Sequence, residues 1–229
     1  MPADRPRLPL LAVVAGLIVV AAVVAVVATR GDGDGDEGVA AGDRSPAAEA
    51  DAPAAGGEEA VDGATAPVTV DGEALPPLPE GGDDPAVGRP MPLQSGTSAD
   101  GTPLVVGDGG PGVVVFLAHW CPHCQREVPL VQEWLAGGGL PEGASIMAVA
   151  TGTDEAAPNY PPADWLAGEG WEVPTLLDSA EYTAAQAAGL TAYPFFVFVD
   201  GDGRVASRAT GELDVDVLAD TLRSLTSEA

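Results

Sequence analysis

The sequence predicts an α/β domain with a mixed sheet flanked by helices, preceded by one N-terminal transmembrane helix and a disordered linker. After about residue 89, short apolar runs rich in β-branched residues alternate with helical segments in the order βαβα. The turn sequence Asp200-Gly201-Asp202-Gly203 then joins two further strands as a hairpin. Alternation followed by a hairpin indicates a sheet with both parallel and antiparallel pairs, covered by helices.

Apolar runs and turn residues set the bounds of each element. The run over 112–118 is apolar without interruption, which is typical of a strand buried on both faces. The helix that begins near Cys121 ends at three glycines, and Ser179 is the expected N-cap of a later helix that stops at Gly189. The predicted strands cover 104–106, 112–118, 144–150, 173–177, 195–199 and 204–210. The predicted helices cover 121–136, 164–167, 179–188 and 214–225.

The N-terminal region contains 19 consecutive residues, 10–28, without a charged or strongly polar side chain. A helix of that length spans roughly 28 Å, close to the thickness of a bilayer core. Arg5 and Arg7 precede this run and an acidic stretch follows it, so the positive-inside rule predicts that residues 1–9 are cytoplasmic and that the rest lies outside. A cleaved signal peptide is the alternative, although the run is longer than the usual 7–15 apolar residues.

The segment 29–88 is dominated by Ala, Gly, Pro, Asp and Glu, and no apolar periodicity is present in it. Such a composition buries too little apolar surface to offset the entropy lost on ordering. We therefore predict a disordered linker over 29–88 and a single folded domain over 89–229.

The chain is strongly acidic, with a formal net charge of −26, and all nine of its basic residues are arginines. A phosphate backbone needs a basic surface, so this charge argues against nucleic-acid binding. It argues equally against adhesion to an anionic membrane surface, and solubility is the simplest reason for it.

The only two cysteines, Cys121 and Cys124, lie at the junction of a predicted strand and a predicted helix. Residues at i and i+3 of a helix face the same way, so a disulfide can join them. Cys121 falls at the helix N-terminus, where free amides and the helix dipole stabilise a thiolate. Pro122 suits the first helical turn, and His123 can add positive charge beside the thiolate. This pattern predicts a redox-active disulfide.

Two other readings of the cysteine pair are open. With His119 and His123 the cysteines offer four metal donors, but all four lie within six residues and cannot readily surround one zinc ion. A purely structural disulfide over so short a loop would stabilise the fold little. We therefore predict no metal and no cofactor.

The residues around the cysteines resemble a known family. The sequence Trp-Cys-x-x-Cys after a buried strand, with Tyr193-Pro194 before the hairpin, looks like a thioredoxin-like fold. The stretch Cys124-Gln125-Arg126-Glu127-Val128-Pro129 is similar to the TlpA/ResA group of membrane-anchored redoxins, which places a glutamate three residues after the second cysteine. The stretches 173–178 and 189–194 also match, and the resemblance covers about residues 90–229.

The resemblance implies a role for several residues. Cys121 would be the exposed nucleophile, Cys124 the more buried resolving cysteine, and Glu127 a partly buried acid that manages protons. Pro194 would be a cis-proline that faces the disulfide, and Trp120 would flank the site. Pro129 would kink the active-site helix. Simple packing is the alternative for Trp120, an exposed position or an arginine salt bridge for Glu127, and a turn or helix-entry role for Asp178.

The sequence also departs from the family patterns in three places. Val115 stands where thioredoxin carries a buried aspartate, so Glu127 alone can supply the acid. The pair Pro122-His123 is that of the DsbA-type oxidants, and Tyr193 is bulkier than the usual residue before the proline. These differences bear on the direction of electron flow and on the substrate groove.

The resemblance implies a monomeric, extracytoplasmic disulfide reductase, held in the cell membrane and supplied with electrons by a membrane redox partner. Its expected substrates are cysteine-containing exported proteins, such as apocytochromes in cytochrome c maturation, or metallochaperones. A DsbA-like oxidase, suggested by Pro122-His123, is the alternative, and a non-enzymatic copper or zinc carrier is a remoter one.

Overall fold

The computed structural model describes residues 62–227. Eight strands and four helices lie in this part of the chain. In chain order they are β1 (Thr69–Asp71), β2 (Leu93–Thr97), β3 (Pro103–Val106), β4 (Gly112–Leu117), α1 (Pro122–Ala136), β5 (Ser145–Ala150), α2 (Pro162–Gly168), β6 (Thr175–Leu177), α3 (Thr183–Ala187), β7 (Phe195–Val199), β8 (Val205–Thr210) and α4 (Val215–Ser227).

The central sheet has five strands in the order β6-β5-β4-β7-β8. Strand β4 pairs in parallel with β5, and β5 pairs in parallel with β6. On its other side β4 is antiparallel to β7, which forms the hairpin with β8. The predicted mixed sheet is therefore confirmed.

The uninterrupted apolar run of β4 produces a strand that is buried along its whole length. Val113, Val115 and Leu117 belong to a core cluster that includes both cysteines and the inner face of α4. Val114 and Phe116 point to a second cluster, which contains residues of α3. Because successive side chains of a strand face opposite ways, this strand serves both layers of the core. Its C-terminal end leads directly to the cysteine pair.

Residues 62–88 are packed against the domain, so the predicted start of the domain at residue 89 is too late. Strand β1 joins β2 and β3 in a separate antiparallel sheet. The amides of Ala66 and Leu75 donate to the carbonyls of Asp178 and Ala187, at 3.2 and 2.8 Å. Composition could not predict this packing, because backbone hydrogen bonds to distant residues hold the segment.

A buried ion pair also holds this N-terminal segment. The guanidinium of Arg208, on β8, is fully buried and donates to both carboxylate oxygens of Asp84 at 2.6 and 2.9 Å. The same guanidinium donates to the carbonyls of Pro76 and Ala188, each at 2.9 Å. One side chain of the hairpin therefore binds two points of the segment that precedes the sheet.

Helix α3 is shorter than predicted and begins differently. Its N-cap is Tyr182, which has a left-handed backbone conformation, so the prediction of Ser179 as N-cap is wrong. The carboxylate of Asp178 accepts hydrogen bonds from the amides of Ala184 and Ala185 and thereby supplies the missing cap.

The predicted cytoplasmic segment 1–9, the anchor 10–28 and the linker as far as residue 61 lie outside the described residues. From residue 62 to residue 227, no helix combines the length and the apolar character that crossing a bilayer requires.

Candidate active site

The cysteine pair lies where β4 ends and α1 begins. Cys121 is the N-cap of α1, its backbone is extended, and its carbonyl accepts the amide of Gln125 at 3.0 Å. Pro122 occupies the first helical position, as the sequence predicts. Both cysteines are free thiols in this structure. The sulfur of Cys121 therefore stands at the positive end of the helix dipole.

The two thiols differ in accessibility. Cys124 is completely buried, and the amide of Ala118 approaches its sulfur at 3.5 Å. Burial raises the pKa of Cys124 well above its ordinary value. Cys121 retains 6% exposure and is therefore less exposed than predicted, although it is the more accessible thiol. The segment before Pro194 covers it, since its sulfur lies 3.8 Å from the carbonyl oxygen of Tyr193.

The proline loop opposite the cysteines has the predicted form. The Tyr193–Pro194 peptide is cis. The carbonyl of Pro194 accepts the amide of Gly211 at 2.9 Å, which ties this loop to the end of β8. The carbonyl of Tyr193 is the backbone group that approaches Cys121.

Glu127 lies on the buried face of α1, only 1% exposed. Its two oxygens share one donor, the amide of Leu213, at 3.1 and 3.3 Å. Burial raises its pKa to about 7, the Leu213 amide opposes this rise, and the charge of Glu212 adds to it. The negative charge of Glu127 in turn contributes to the raised pKa of Cys124. Glu127 is thus a buried acid beside the pair, neither exposed nor bound to an arginine.

A cluster of three ionisable side chains lies on the outer side of α1. Glu212 accepts hydrogen bonds from Nδ1 of His123 at 2.6 Å and from the guanidinium of Arg126. These contacts lower the pKa of Glu212, with the Arg126 hydrogen bond as the largest cause. The side chain of His123, which the sequence places beside the thiolate, is therefore bound to a carboxylate from the β8–α4 loop.

Aromatic side chains form the other wall of the site. Trp120 is 37% exposed, and its indole N–H donates to the carbonyl of Gly152 at 2.6 Å. Its ring meets Tyr193 edge-on, with centroids 5.8 Å apart. Gly152 has a φ of +63°, and a Cβ there would come within 2.5 Å of the Tyr193 hydroxyl. Burial raises the pKa of Tyr193 to about 12. Trp120 therefore flanks the site and also supports the 151–161 loop.

His119 is fully buried below this loop and has both ring nitrogens occupied. Nδ1 lies 2.7 Å from the carbonyl of Pro158, and Nε2 accepts the amide of Asp154 at 3.1 Å. A neutral imidazole protonated at Nδ1 satisfies both contacts. His119 is thus a loop anchor with no free nitrogen for a metal. Among residues 62–227 no cluster of three or more His, Cys, Asp or Glu could hold a metal ion.

Three other residues that the sequence singles out, Asp178, Pro129 and Val115, lie in regular elements or next to one. Asp178 is buried and bonds to the start of α3, which supports its helix-entry reading. Pro129 lies inside α1, and the kink predicted there stays a prediction. Val115 is 1% exposed on β4, so Glu127 is the acid that reaches this side of the pair.

Sequence reasoning missed Gly152, Glu212 and Leu213. Each is far from the cysteines in sequence and reaches the site only through the fold. A left-handed glycine after β5 is a recognisable local signal, because other residues rarely adopt that conformation. Glu212 carries no such signal in a chain with so many acidic residues.

Known proteins are similar to this chain. A family model described as Redoxin matches residues 86–222. The methylamine utilization protein MauD of Methylobacillus flagellatus is 26% identical over 136 residues, which cover 54% of this chain and 57% of MauD. The chain thus spans little more than half the length of that relative.

Two solved structures are also similar to this chain. A proposed thioredoxin from Neisseria meningitidis superimposes with a TM-score of 0.51 at 20% identity, covering 61% of this chain and 91% of that one. MTB DsbF is 27% identical, with a TM-score of 0.48, over 57% of this chain and 93% of its own. The Neisseria structure shows that the fold is thioredoxin-like.

Proposed function

Because this chain belongs to the Redoxin family, we propose that it works outside the cytoplasm as a disulfide reductase of cysteine-containing exported proteins. Family membership confirms the predicted redoxin resemblance and supports the class of enzyme, a thiol–disulfide oxidoreductase. The direction of electron flow, the substrates and the location are the parts that we add here.

The proposed reaction starts from the dithiol. The thiolate of Cys121 attacks one sulfur of a substrate disulfide, and the other substrate sulfur leaves as a thiolate. Cys124 then loses its proton and attacks the sulfur of Cys121, which releases the second substrate thiol and leaves the Cys121–Cys124 disulfide. Two electrons have passed to the substrate. A membrane redox partner must return two electrons to the enzyme.

The observation that carries this proposal is that Glu127 follows Cys124 by three residues on the buried face of α1. Cys124 must ionise to attack, yet its burial raises the pKa of its thiol. Glu127 has a pKa of about 7, so near neutral pH it is ready to accept a proton. A buried base beside the buried thiol therefore meets a need of the second step.

An oxidase is the second candidate, because the Pro122-His123 dipeptide is that of DsbA-type oxidants. A histidine that acts freely on the Cys121 thiolate would favour the dithiol and make the disulfide a strong oxidant. Here Glu212 binds His123, which favours the reductase. A redox potential of about −270 mV for the Cys121–Cys124 couple would support the reductase, and one of about −120 mV would support the oxidase.

We also propose that residues 10–28 anchor the protein in the cell membrane with the catalytic domain outside. The apolar run and the arginines before it support this orientation. The acidic segment that follows would keep a monomeric domain away from the membrane surface and free to meet its partners.

Trapping of the mixed disulfide tests the reaction and identifies the substrate. In cells that produce the Cys124→Ser variant, we expect a covalent complex with an exported protein, because the variant lacks the thiol that resolves the intermediate. The complex should release its partner on reduction, and the partner can be identified by mass spectrometry.

The Cys121→Ser variant is the matched control and should form no complex. Wild-type protein should reduce a disulfide substrate, and Cys121→Ser should abolish that activity. A Cys124→Ser variant that traps nothing, or a wild-type domain that exchanges no disulfides, would contradict the proposal. Stoichiometric binding of copper or zinc by such an inactive domain, lost in His123→Ala, would instead support the carrier hypothesis.

A further inference from the structure

The loop between β8 and α4 touches α1 with two consecutive residues. The carboxylate of Glu212 binds His123 and Arg126 on the outer side of the helix. The amide of Leu213 binds Glu127 on the buried side. The two contacts hold the loop across the helix that presents the cysteines, at the end where Cys121 lies.

This cluster is electrostatically connected to the nucleophile. The pKa of Arg126 is raised chiefly by its hydrogen bond to Glu212, and the negative charge of Cys121 contributes to the same rise. Because the negative charge of Cys121 stabilises the charged form of Arg126, Arg126 in turn stabilises the Cys121 thiolate. The carboxylate of Glu212 opposes this stabilisation, since its negative charge is paired with the guanidinium of Arg126.

The geometry of His123 points the same way. Its Nδ1 lies 2.6 Å from the Glu212 carboxylate, and the guanidinium of Arg126 lies 2.9 Å from the same nitrogen. The Nδ1 atom of His123 is therefore engaged on the outer side of α1. Because sequence separates Glu212 from His123 by 89 residues, the fold alone creates this contact.

We propose that Glu212 is a positioning residue that restrains His123 and Arg126 and thereby makes the Cys121–Cys124 couple more reducing than its Pro-His dipeptide alone would make it. This inference deepens the proposed function and rests on it for its biological meaning. The chemistry concerned is the exchange of one enzyme disulfide and two glutathione thiols for the enzyme dithiol and one glutathione disulfide.

Replacement of the carboxylate by its neutral amide tests the proposal. In the Glu212→Gln variant the carboxylate no longer restrains His123 and Arg126, so the positive charge of Arg126 acts more fully on the thiolate and the reduced form gains stability. We expect the equilibrium constant with glutathione to shift by about threefold toward the dithiol at low ionic strength, the size expected for an exposed charge. The full-length protein is equilibrated with glutathione mixtures, and the dithiol fraction is read from alkylation and mass spectrometry.

Three controls separate an electrostatic role from a structural one. Glu133→Gln removes an exposed carboxylate from the same helix and should leave the equilibrium constant unchanged. High salt should reduce the effect of Glu212→Gln, because the groups are exposed. The pH dependence of Cys121 alkylation, measured in a Cys124→Ser background, should move to lower pH when Glu212 is replaced.

A double-mutant cycle decides whether Glu212 acts through its two partners. In a background that carries both His123→Ala and Arg126→Gln, the effect of Glu212→Gln should shrink clearly below its value in the wild type. An unchanged equilibrium constant in Glu212→Gln, or an effect of the same size in that background, would overturn the proposal. The glutathione measurement needs no protein substrate, so it remains decisive even if the reductase proposal fails.

Discussion

Glu127 and Asp178 are both 1% exposed, yet the protein surrounds these two carboxylates very differently. Asp178 follows β6 and accepts four hydrogen bonds at 2.7 to 3.1 Å. The donors are the hydroxyl of Thr151 and the amides of Ser179, Ala184 and Ala185. Among the described residues, Glu127 accepts from the amide of Leu213 alone, and its two oxygens share that donor.

The difference separates a structural carboxylate from a chemical one. Four donors that converge on Asp178 fix the start of α3 and satisfy amides that would otherwise be buried without partners. A single donor leaves Glu127 incompletely stabilised as an anion, and burial raises its pKa to about 7. A buried acid can therefore serve in proton transfer when its neighbours leave its charge only partly compensated.

The largest expected effect is the loss of stability in Asp178→Ala. This change leaves a hydroxyl and three buried amides without an acceptor, so we expect the free energy of unfolding to fall by about 4 kcal/mol. Urea unfolding followed by circular dichroism measures it. The variant Asp178→Asn keeps one acceptor oxygen and should lose less. A loss below about 1 kcal/mol in Asp178→Ala would contradict the structural role.

The contrast between these carboxylates was only partly accessible to sequence reasoning. The resemblance singled out Glu127 because it lies three residues after Cys124, in a motif that can be read locally. Asp178 is ambiguous in the sequence, since the hydroxyl of Thr151 after β5 and the two amides of α3 reach it only in the fold. The central sheet could be predicted because its strands are continuous apolar runs, as in β4.

Long-range contacts explain what the sequence did not predict. Strands β1 and β2 are short and only partly buried, so neither shows a clear apolar run. The packing of residues 62–88 depends on hydrogen-bond partners that are distant in sequence, such as Arg208, which lies more than a hundred residues away. Glu212 likewise joins the site through tertiary structure, and no local pattern marks it.

The next effect in size is the pH dependence of stability at Glu127. Its pKa is raised from 4.5 to about 7, so the folded state binds the proton more tightly than the unfolded state does. The stability that this proton contributes is complete below about pH 4.5 and is lost as the pH rises to about 7. The Glu127→Gln variant has no carboxyl group to titrate, so it does not lose this stability as the pH rises. The free energy of unfolding of the variant, relative to that of the wild type, should therefore rise by about 2 kcal/mol between pH 5 and pH 8.

The same variant also tests the chemistry. Exchange by Glu127→Gln should be slowed about tenfold or more near neutral pH, since the amide cannot accept the Cys124 proton. Stopped-flow measurement of tryptophan fluorescence can follow the reaction. Unchanged kinetics would show that Glu127 takes no part in the mechanism. An unchanged pH dependence of the free energy of unfolding would contradict the raised pKa of Glu127.

The smallest effect is expected when one donor of Asp178 is removed. Thr151→Val deletes the hydroxyl that donates to Asp178 at 2.7 Å and nearly preserves the shape of the side chain. Three amide donors remain, so the free energy of unfolding should fall by about 1 kcal/mol. Thr221→Val, which removes a hydroxyl bonded within α4, is the matched control and should change stability by less than about 0.5 kcal/mol. Because Thr151 donates to Asp178 and Glu127 accepts from Leu213, the pH dependence assigned to Glu127 should be the same in Thr151→Val as in the wild type. A shifted pH profile would mean that the two carboxylates are coupled, and the distinction between them would then be one of degree.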